Sequence, residues 1–257
     1  MYDVETRARA MALVHAGSSL SSVSRQTGIS RSTLRAWMSD SSIRLRNALP
    51  CPRCRTSPGL PDDGAAYTYL LGLYLGDGHI SEHRRGVTAL RVICGNAWPG
   101  LIERCAAAIR AVRPDNRVCL VRRDGCVAVT SYSKHWPCLF PQHGPGKKHD
   151  REIRLEQWQR ALVAAHPWEL VRGLVHSDGC RITNWTEREV GGVRKRYEYP
   201  RYFFTNKSAD IMRLFTDTLD ALGVEWKSLR QTRHAPTVSV ARKGSVALMD
   251  THIGPKY

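Results

Sequence analysis

Apolar positions fall along the chain in three regimes. From residue 3 to 15, Val4, Ala8, Met11 and Ala12 recur at helical spacing, and Gly17 ends the segment. The next stretch, "SSLSSVSRQTGISRSTLRAWM", predicts a short helix through Val23, a turn at Thr27-Gly28, and a second helix capped by Ser30. Leu20, Val23, Ile29, Leu34 and Trp37 would then share one small core. Residues 41 to 63 lose this periodicity and become rich in Ser, Pro and Gly, the composition of a linker. From residue 64 onward apolar, alternating and amphipathic runs succeed one another, and the succession occurs twice.

The repetition has a measurable offset. "LLGLYLGDG" (70–78) and "VRGLVHSDG" (171–179) are helical segments that end on aspartate, and Asp178 lies 101 positions after Asp77. "RVICGNAWPGLIERCAAAIRAV" (91–112) mirrors "RYFFTNKSADIMRLFTDTLDAL" (201–222), with Asn96 opposite Asn206 at an offset of 110. "CVAVTSYSK" (126–134) mirrors "TVSVARK" (237–243), each a strand ending on a lysine, with Lys134 opposite Lys243 at an offset of 109. "HGPGKK" (143–148) finds an echo in the terminal "IGPKY". Such matches in one order indicate a duplication. The residues gained between the matches sit in a long basic hairpin, 181–201, whose turn is marked by Gly191-Gly192. Each half therefore predicts helix, two strands, helix, two strands, helix, although the last helix of the second half reads as largely missing.

The two aspartates pose a physical question. A helix C-terminus carries partial negative charge, so a carboxylate there costs stability unless a cation sits on it. Gly72 and Gly76, like Gly173 and Ser177, lie four apart on one helix face. Small side chains at that spacing let two helix backbones approach, which would bring Asp77 and Asp178 together in an oxygen-rich, anionic pocket suited to magnesium.

Composition adds a partner. The 257 residues carry 39 Lys+Arg against 23 Asp+Glu, a formal net charge of +16, and nucleic acid is the polyanion that such an excess fits. No run approaches the ~20 apolar residues that span a bilayer, and the N-terminus has early acids and no cleavage pattern, which argues against a signal peptide. Eight cysteines without a secretion signal read as thiols or metal ligands, and the expected place is the cytoplasm, associated with the nucleoid. Cys51 and Cys54 have the spacing to chelate zinc, but a structural site needs four ligands. The complement would be Cys138 with His143, brought close in space; the alternative is a pair of free thiols. His135, His143 and His149 with Cys138 could likewise bind metal, or belong to a rigid Pro/Gly connector.

Two resemblances follow from these motifs. Residues 1 to 40 resemble the helix-turn-helix of resolvases and transposases, which implies that the second helix presents Arg31, Ser32, Thr33 and Arg35 to the major groove. From residue 64 to the end, the paired nonapeptides and the matching strands and helices resemble a single-chain LAGLIDADG endonuclease of the homing type. The resemblance implies an α+β fold, a pseudo-twofold duplicated αββαββα saddle preceded by a small all-α helix-turn-helix domain. The boundaries would be 1–40, a 41–63 linker with Cys-x-x-Cys, a first repeat at 64–160 and a second at 161–257. One chain would act on double-stranded DNA as a monomeric pseudo-dimer.

The resemblance also implies roles. Strand ribbons would enter the major groove, the first with His79, Ser81, His83, Arg84 and Arg85, the second with Arg181, Thr183, Asn184, Arg188, Arg194, Lys195 and Arg196. Asp77 and Asp178 would hold magnesium and Lys134 and Lys243 would stand near the scissile phosphates, for a staggered double-strand cut. The sixth motif position departs from the family's acid: it is Leu75 in one half and His176 in the other. Two functions compete, a site-specific endonuclease and a non-cleaving transcriptional regulator derived from one. An RNA-processing enzyme is a more remote third, against which the helix-turn-helix argues.

Overall fold

Three short helices open the chain, and the reason is visible in their caps. Residues 4–39, 61, 63–229 and 235–257 are described by the structure, a computed structural model; Cys51 and Cys54 lie outside them. The chain divides into two compact units, 1–55 and 56–257, taken in turn. In the first, α1 (Val4–His15), α2 (Leu20–Thr27) and α3 (Arg31–Ser39) close on buried Ala10, Val23, Ile29 and Leu34, with Leu20 and Trp37 partly buried beside them. Ser19 caps α2 through Ser22 N at 3.2 Å, Gly28 takes the left-handed conformation that ends it (φ 69°), and Ser30 Oγ accepts from Thr33 N at 3.1 Å.

The second unit is an α+β fold in which one αββαββα pattern occurs twice. The first copy comprises α4 (Gly64–Leu75), β1 (Gly78–Glu82), β2 (Thr88–Gly95), α5 (Pro99–Val112), β3 (Val118–Arg123), β4 (Cys126–Ser133), the single turn α6 (Trp136–Leu139) and α7 (Gln157–Ala165). The second comprises α8 (Pro167–Asp178), β5 (Gly179–Val190), β6 (Val193–Thr205), α9 (Ala209–Ala221), β7 (Lys227–Leu229), β8 (Thr237–Val240) and α10 (Lys243–His252). Each half forms a four-stranded antiparallel sheet, in the orders β1-β2-β4-β3 and β5-β6-β8-β7. The last helix expected to be largely missing is therefore present. β8 ends at Val240, and Lys243 opens α10 instead of closing a strand. A period-2 pattern across seven residues had absorbed the turn between them.

α4 and α8 form the spine. A Cβ on Gly173 would stand 2.2 Å from Tyr69 O and 2.9 Å from Gly72 Cα, and one on Gly72 would stand 2.7 Å from Leu170 O. The two backbones touch where side chains would normally intervene, so only glycine fits. Around this spine Tyr67, Tyr74, Trp136 and Phe140 fill the first half and Tyr202, Phe204 and Phe215 the second.

The β5–β6 ribbon far outreaches its counterpart, and Gly191 and Gly192, with φ 61° and 77°, make the turn that matches strand twist. Residues 134–159, to which the sequence assigns only a connector, pack inward. Tyr67 Oη donates to Leu139 O at 2.5 Å, and Gln159 bridges Tyr67 and Gln142. No helix among the described residues is long and apolar enough to cross a membrane.

Candidate metal and nucleic-acid site

The close packing of α4 on α8 decides where the two carboxylates go. Gly76 and Asp77 follow α4 directly, and Asp178 is the last residue of α8. A Cβ on Gly76 would meet Ser177 Oγ at 2.1 Å and Asp178 Oδ2 at 3.0 Å, so Asp178 reaches the backbone beside Asp77. The pKa of Asp77 is raised, first because surrounding protein displaces solvent from the recess and then because Asp178 repels its charge; Lys256 and Lys148 oppose this. The Asp178 carboxyl is raised for the same first reason, against the Asn206 hydrogen bond, Lys148 and Lys256. Asp77 still opens to solvent, while Asp178 is half-buried. Asn206 Nδ2 donates to Asp178 Oδ2 at 2.6 Å, and Asn206 Oδ1 is itself held by Ser208 N at 2.8 Å.

The lysines that act on the pair are Lys148 and Lys256. Lys148 Nζ donates to the carbonyls of Tyr74, Gly76 (2.7 Å) and Gly78 (2.7 Å), and lies 5.1 Å from the Tyr74 ring centroid. Burial lowers its pKa to about 8 despite the attraction of both aspartates. Lys256 Nζ donates to Ser177 O at 2.8 Å, and burial lowers it too. Lys134 follows β4 and Lys243 begins α10, both exposed. The signal for the other pair is the echo of "HGPGKK" in "IGPKY": Lys148 and Lys256 each follow a Gly-Pro, two residues further on in the first case.

Above the carboxylates lies a cavity of about 600 Å³ whose lining includes Gly76, His79, Lys148, Asp178, Thr205 and Asn206. Behind them, between the helices, His176 is 2% exposed; its Nδ1 meets Tyr69 Oη at 3.0 Å while its Nε2 is buried without a partner. Burial, with Arg104, Arg172 and Lys256 nearby, lowers its pKa to about 3. The residue at this motif position is thus a neutral packing group.

Strand register sorts the charges. Directly opposed residues share a face, so Ile80, Leu90, Val92 and Val129 mark the helix side of the first sheet, and Tyr202 and Phe204 that of the second. Every acid of the described strands (Glu82, Glu187, Glu189 and Glu198) falls on the helix side. Among the described strand residues, the open side carries Arg91, Arg123, Arg188, Lys195, Arg201 and Lys227 and no acid. His79 and Thr205 are on open sides and line the cavity together with Asp178, so Asp178 borders a recess in a basic surface with Asp77 close enough to feel its charge.

This sorting divides the expected ribbon residues. His79, Ser81, Asn184, Arg188 and Lys195 lie on the open side. His83, Arg84 and Arg85 form the exposed β1–β2 connection, where Arg85 has φ 62°. Thr183, Arg181, Arg194 and Arg196 lie on the helix side, and the arginines are engaged there: Arg181 with Asp250 (2.6 Å), Arg194 with Glu187 (3.7 Å) and Arg196 with Glu198 (2.9 Å). Sequence reasoning missed Arg91, which bonds Ser81 Oγ and meets His83 Nε2 at 3.1 Å, because one central-strand arginine carries no motif. In the first unit Arg31, Ser32 and Arg35 are exposed, and Ser32 and Thr33 hydroxyls lie 2.9 and 2.7 Å from the Ser30 cap.

The donor set suits a hard cation. Magnesium takes oxygen ligands and retains several waters, and two mutually repelling carboxylates offer that chemistry, while the adjoining helix-end carbonyls of Gly76 and Ser177 accept from Lys148 and Lys256. Beyond this pair, no group of three or more His, Cys, Asp or Glu among the described residues is placed to hold a metal, so His135, His143, His149 and Cys138 form no such cluster. The six described cysteines are free thiols.

No protein-family model and no curated protein matches the chain. Solved structures resemble it in fold. The endonuclease I-DmoI in complex with DNA and Mn is 14% identical, covering 76% of this chain and 98% of that one, with a TM-score of 0.46. The LAGLIDADG meganuclease I-AabMI bound to uncleaved DNA is 11% identical, covering 72% and 83%, TM-score 0.46. The N-terminal LAGLIDADG domain of DUF199/WhiA is 12% identical, covering 77% and 87%, TM-score 0.46.

Proposed function

We propose that this chain is a sequence-specific, magnesium-dependent DNA endonuclease that makes a staggered double-strand cut, working as a monomeric pseudo-dimer. The observation that carries the reading is the pairing of Asp77 with Asp178 beside a recess to which both sheets turn strand faces that carry cations and no acid. Backbone phosphates would lie along Arg91, Arg123, Arg188, Lys195 and Arg201, and base edges would be read by Ser81, Asn184 and Arg188. Arg181, Arg194 and Arg196 are not groove contacts in this reading, because strand register turns them to the helix side.

Magnesium, when bound, supplies an activated water and charge stabilisation for the leaving 3′-oxygen. Asp77 and Asp178 would hold it, one for each strand, with Asn206 orienting Asp178. Lys148 and Lys256, in place of Lys134 and Lys243, would offer positive charge to the scissile phosphates. In the first unit α2 and α3 would act as a helix-turn-helix that adds binding energy, with 41–63 as linker and the two repeats at 64–160 and 161–257. Zinc on Cys51 and Cys54 remains a proposal from spacing alone.

One observation favours the second reading, a non-cleaving regulator: the Lys148 ammonium already satisfies three carbonyls around Asp77, a built-in cation where a metal would sit. Incubating the purified protein with DNA from its own genomic neighbourhood, with magnesium or manganese and with EDTA, separates the two. Metal-dependent double-strand cutting is expected; binding without cutting under every metal condition would establish the regulator.

A further inference from the structure

The open face of the second sheet holds a pocket that the paired aspartates do not use. Its volume is about 370 Å³, and Arg201, Glu225, Trp226, Lys227, Ser239 and Arg242 form most of the lining. Register places Arg201, Lys227 and Ser239 on one side of the ladder: Arg201 is opposite Ile182, and both Phe203 and Lys227 are opposite Ser239. That is the side away from the helices, continuous with Asn184, Arg188 and Lys195.

Two polar atoms of this lining are shielded from solvent yet have no hydrogen-bond partner, Arg201 Nε and Ser239 Oγ. Ser239 is only 4% exposed. The Arg201 guanidinium lies 4.9 Å from the Tyr199 ring centroid, which steadies it. Glu225, the single acid, is engaged by Arg242 Nε at 3.1 Å, and among the described residues no acid partners Arg201 or Lys227. A buried donor left unsatisfied is destabilising, because it gives up water and gains no partner in exchange. An arginine N–H can only donate and a serine hydroxyl can donate, so the group the pocket lacks is an acceptor. Beside two uncompensated cations, that acceptor is an anion.

We infer that this pocket binds a phosphate oxyanion, with Arg201 and Ser239 donating to its oxygens and Lys227 supplying charge. The oxyanion comes either from the backbone of bound DNA, which rests on the DNA-binding reading above, or from a free phosphate, which does not.

The test has two arms. Inorganic phosphate is titrated by calorimetry into the full chain and into Ser239→Ala, Arg201→Gln and Lys227→Met. Loss of one charge-assisted hydrogen bond predicts about tenfold weaker phosphate binding for Arg201→Gln. Separately, DNA affinity is measured against salt for the same proteins. If the source is DNA, Arg201→Gln should flatten the slope of log affinity on log salt by about 0.9, one phosphate's share. Ser239→Ala should weaken DNA binding with an unchanged slope, because it removes no charge. Phosphate binding without any DNA effect assigns a free phosphate; DNA effects without it assign the backbone. Lys227→Met, on an exposed side chain, guards against a variant that misfolds. Wild-type affinity for both ligands in all three variants would overturn the inference. A wild type that binds no DNA at all would sink the endonuclease and regulator readings, and the phosphate arm alone would then judge the pocket.

Discussion

Replacing His176 with glutamine removes one titrating group from the α4–α8 interface and leaves Tyr69 an acceptor. In the folded chain burial and the charges of Arg104, Arg172 and Lys256 hold the imidazole at about 3, whereas an unperturbed histidine titrates at 6.5. Between those values the unfolded chain takes up a proton that the folded chain refuses. Stability from neutral His176 is thus present above the unfolded pKa and lost as pH falls toward the folded one. At about pH 5 the loss is about 1.5 pH units at 1.36 kcal/mol each, or about 2 kcal/mol. Because that pH lies well above the folded value, the figure depends almost wholly on the unfolded pKa. Asp77 and Asp178, whose pKa values are raised, act with the opposite sign, their mutual cost being relieved as pH falls; both remain in the variant and cancel in the comparison. Urea unfolding at about pH 7.5 and about pH 5 reads the effect. With a slope of about 2 kcal/mol per molar urea, the wild-type midpoint should fall by about 1 M more than that of His176→Gln. Equal losses in both proteins would refute a buried, neutral histidine.

Asp77→Asn and Asp178→Asn should each abolish double-strand cleavage while DNA affinity stays the same or rises, since each removes a charge that opposes phosphate; a variant that still cuts both strands would displace the site. Gly173→Ala drives a Cβ to 2.2 Å from Tyr69 O, so it should cost about 1–3 kcal/mol or more by overpacking, read as a lowered melting temperature. Gly144→Ala, whose nearest neighbour is an Arg151 side chain at 3.7 Å, should leave the melting temperature within error. Lys148→Met should reduce single-turnover cleavage by about tenfold or more relative to Lys134→Met, as expected for loss of charge beside the reacting phosphate; the reverse order would restore the repeat-derived lysines. Deleting residues 1–40 should weaken DNA binding and flatten its salt dependence without abolishing it, and an unchanged footprint would detach the first unit from DNA recognition.

Much of this was legible in the chain itself because it depends on local spacing. The apolar run before each Asp, the small residues four apart and the repeated order of strands and helices determined the duplicated α+β topology and the close helix pair. Gly191-Gly192 determined the long hairpin's turn, since two successive positive φ angles need glycine. Boundaries failed where local pattern was ambiguous, as at Lys243, where a strand and a helix meet across two residues. What only the tertiary structure decided was which side chains face which. Register sends Arg194 and Arg196 to the acids behind the sheet and Lys195 to the open face, although the three are consecutive. Folding back of residues 134–159 delivers Lys148 to the α4 terminus, 71 positions from Asp77, and the chain's last turn delivers Lys256 to the other helix end. Distances across such separations are set by packing of the whole core, and no periodicity in the sequence encodes them.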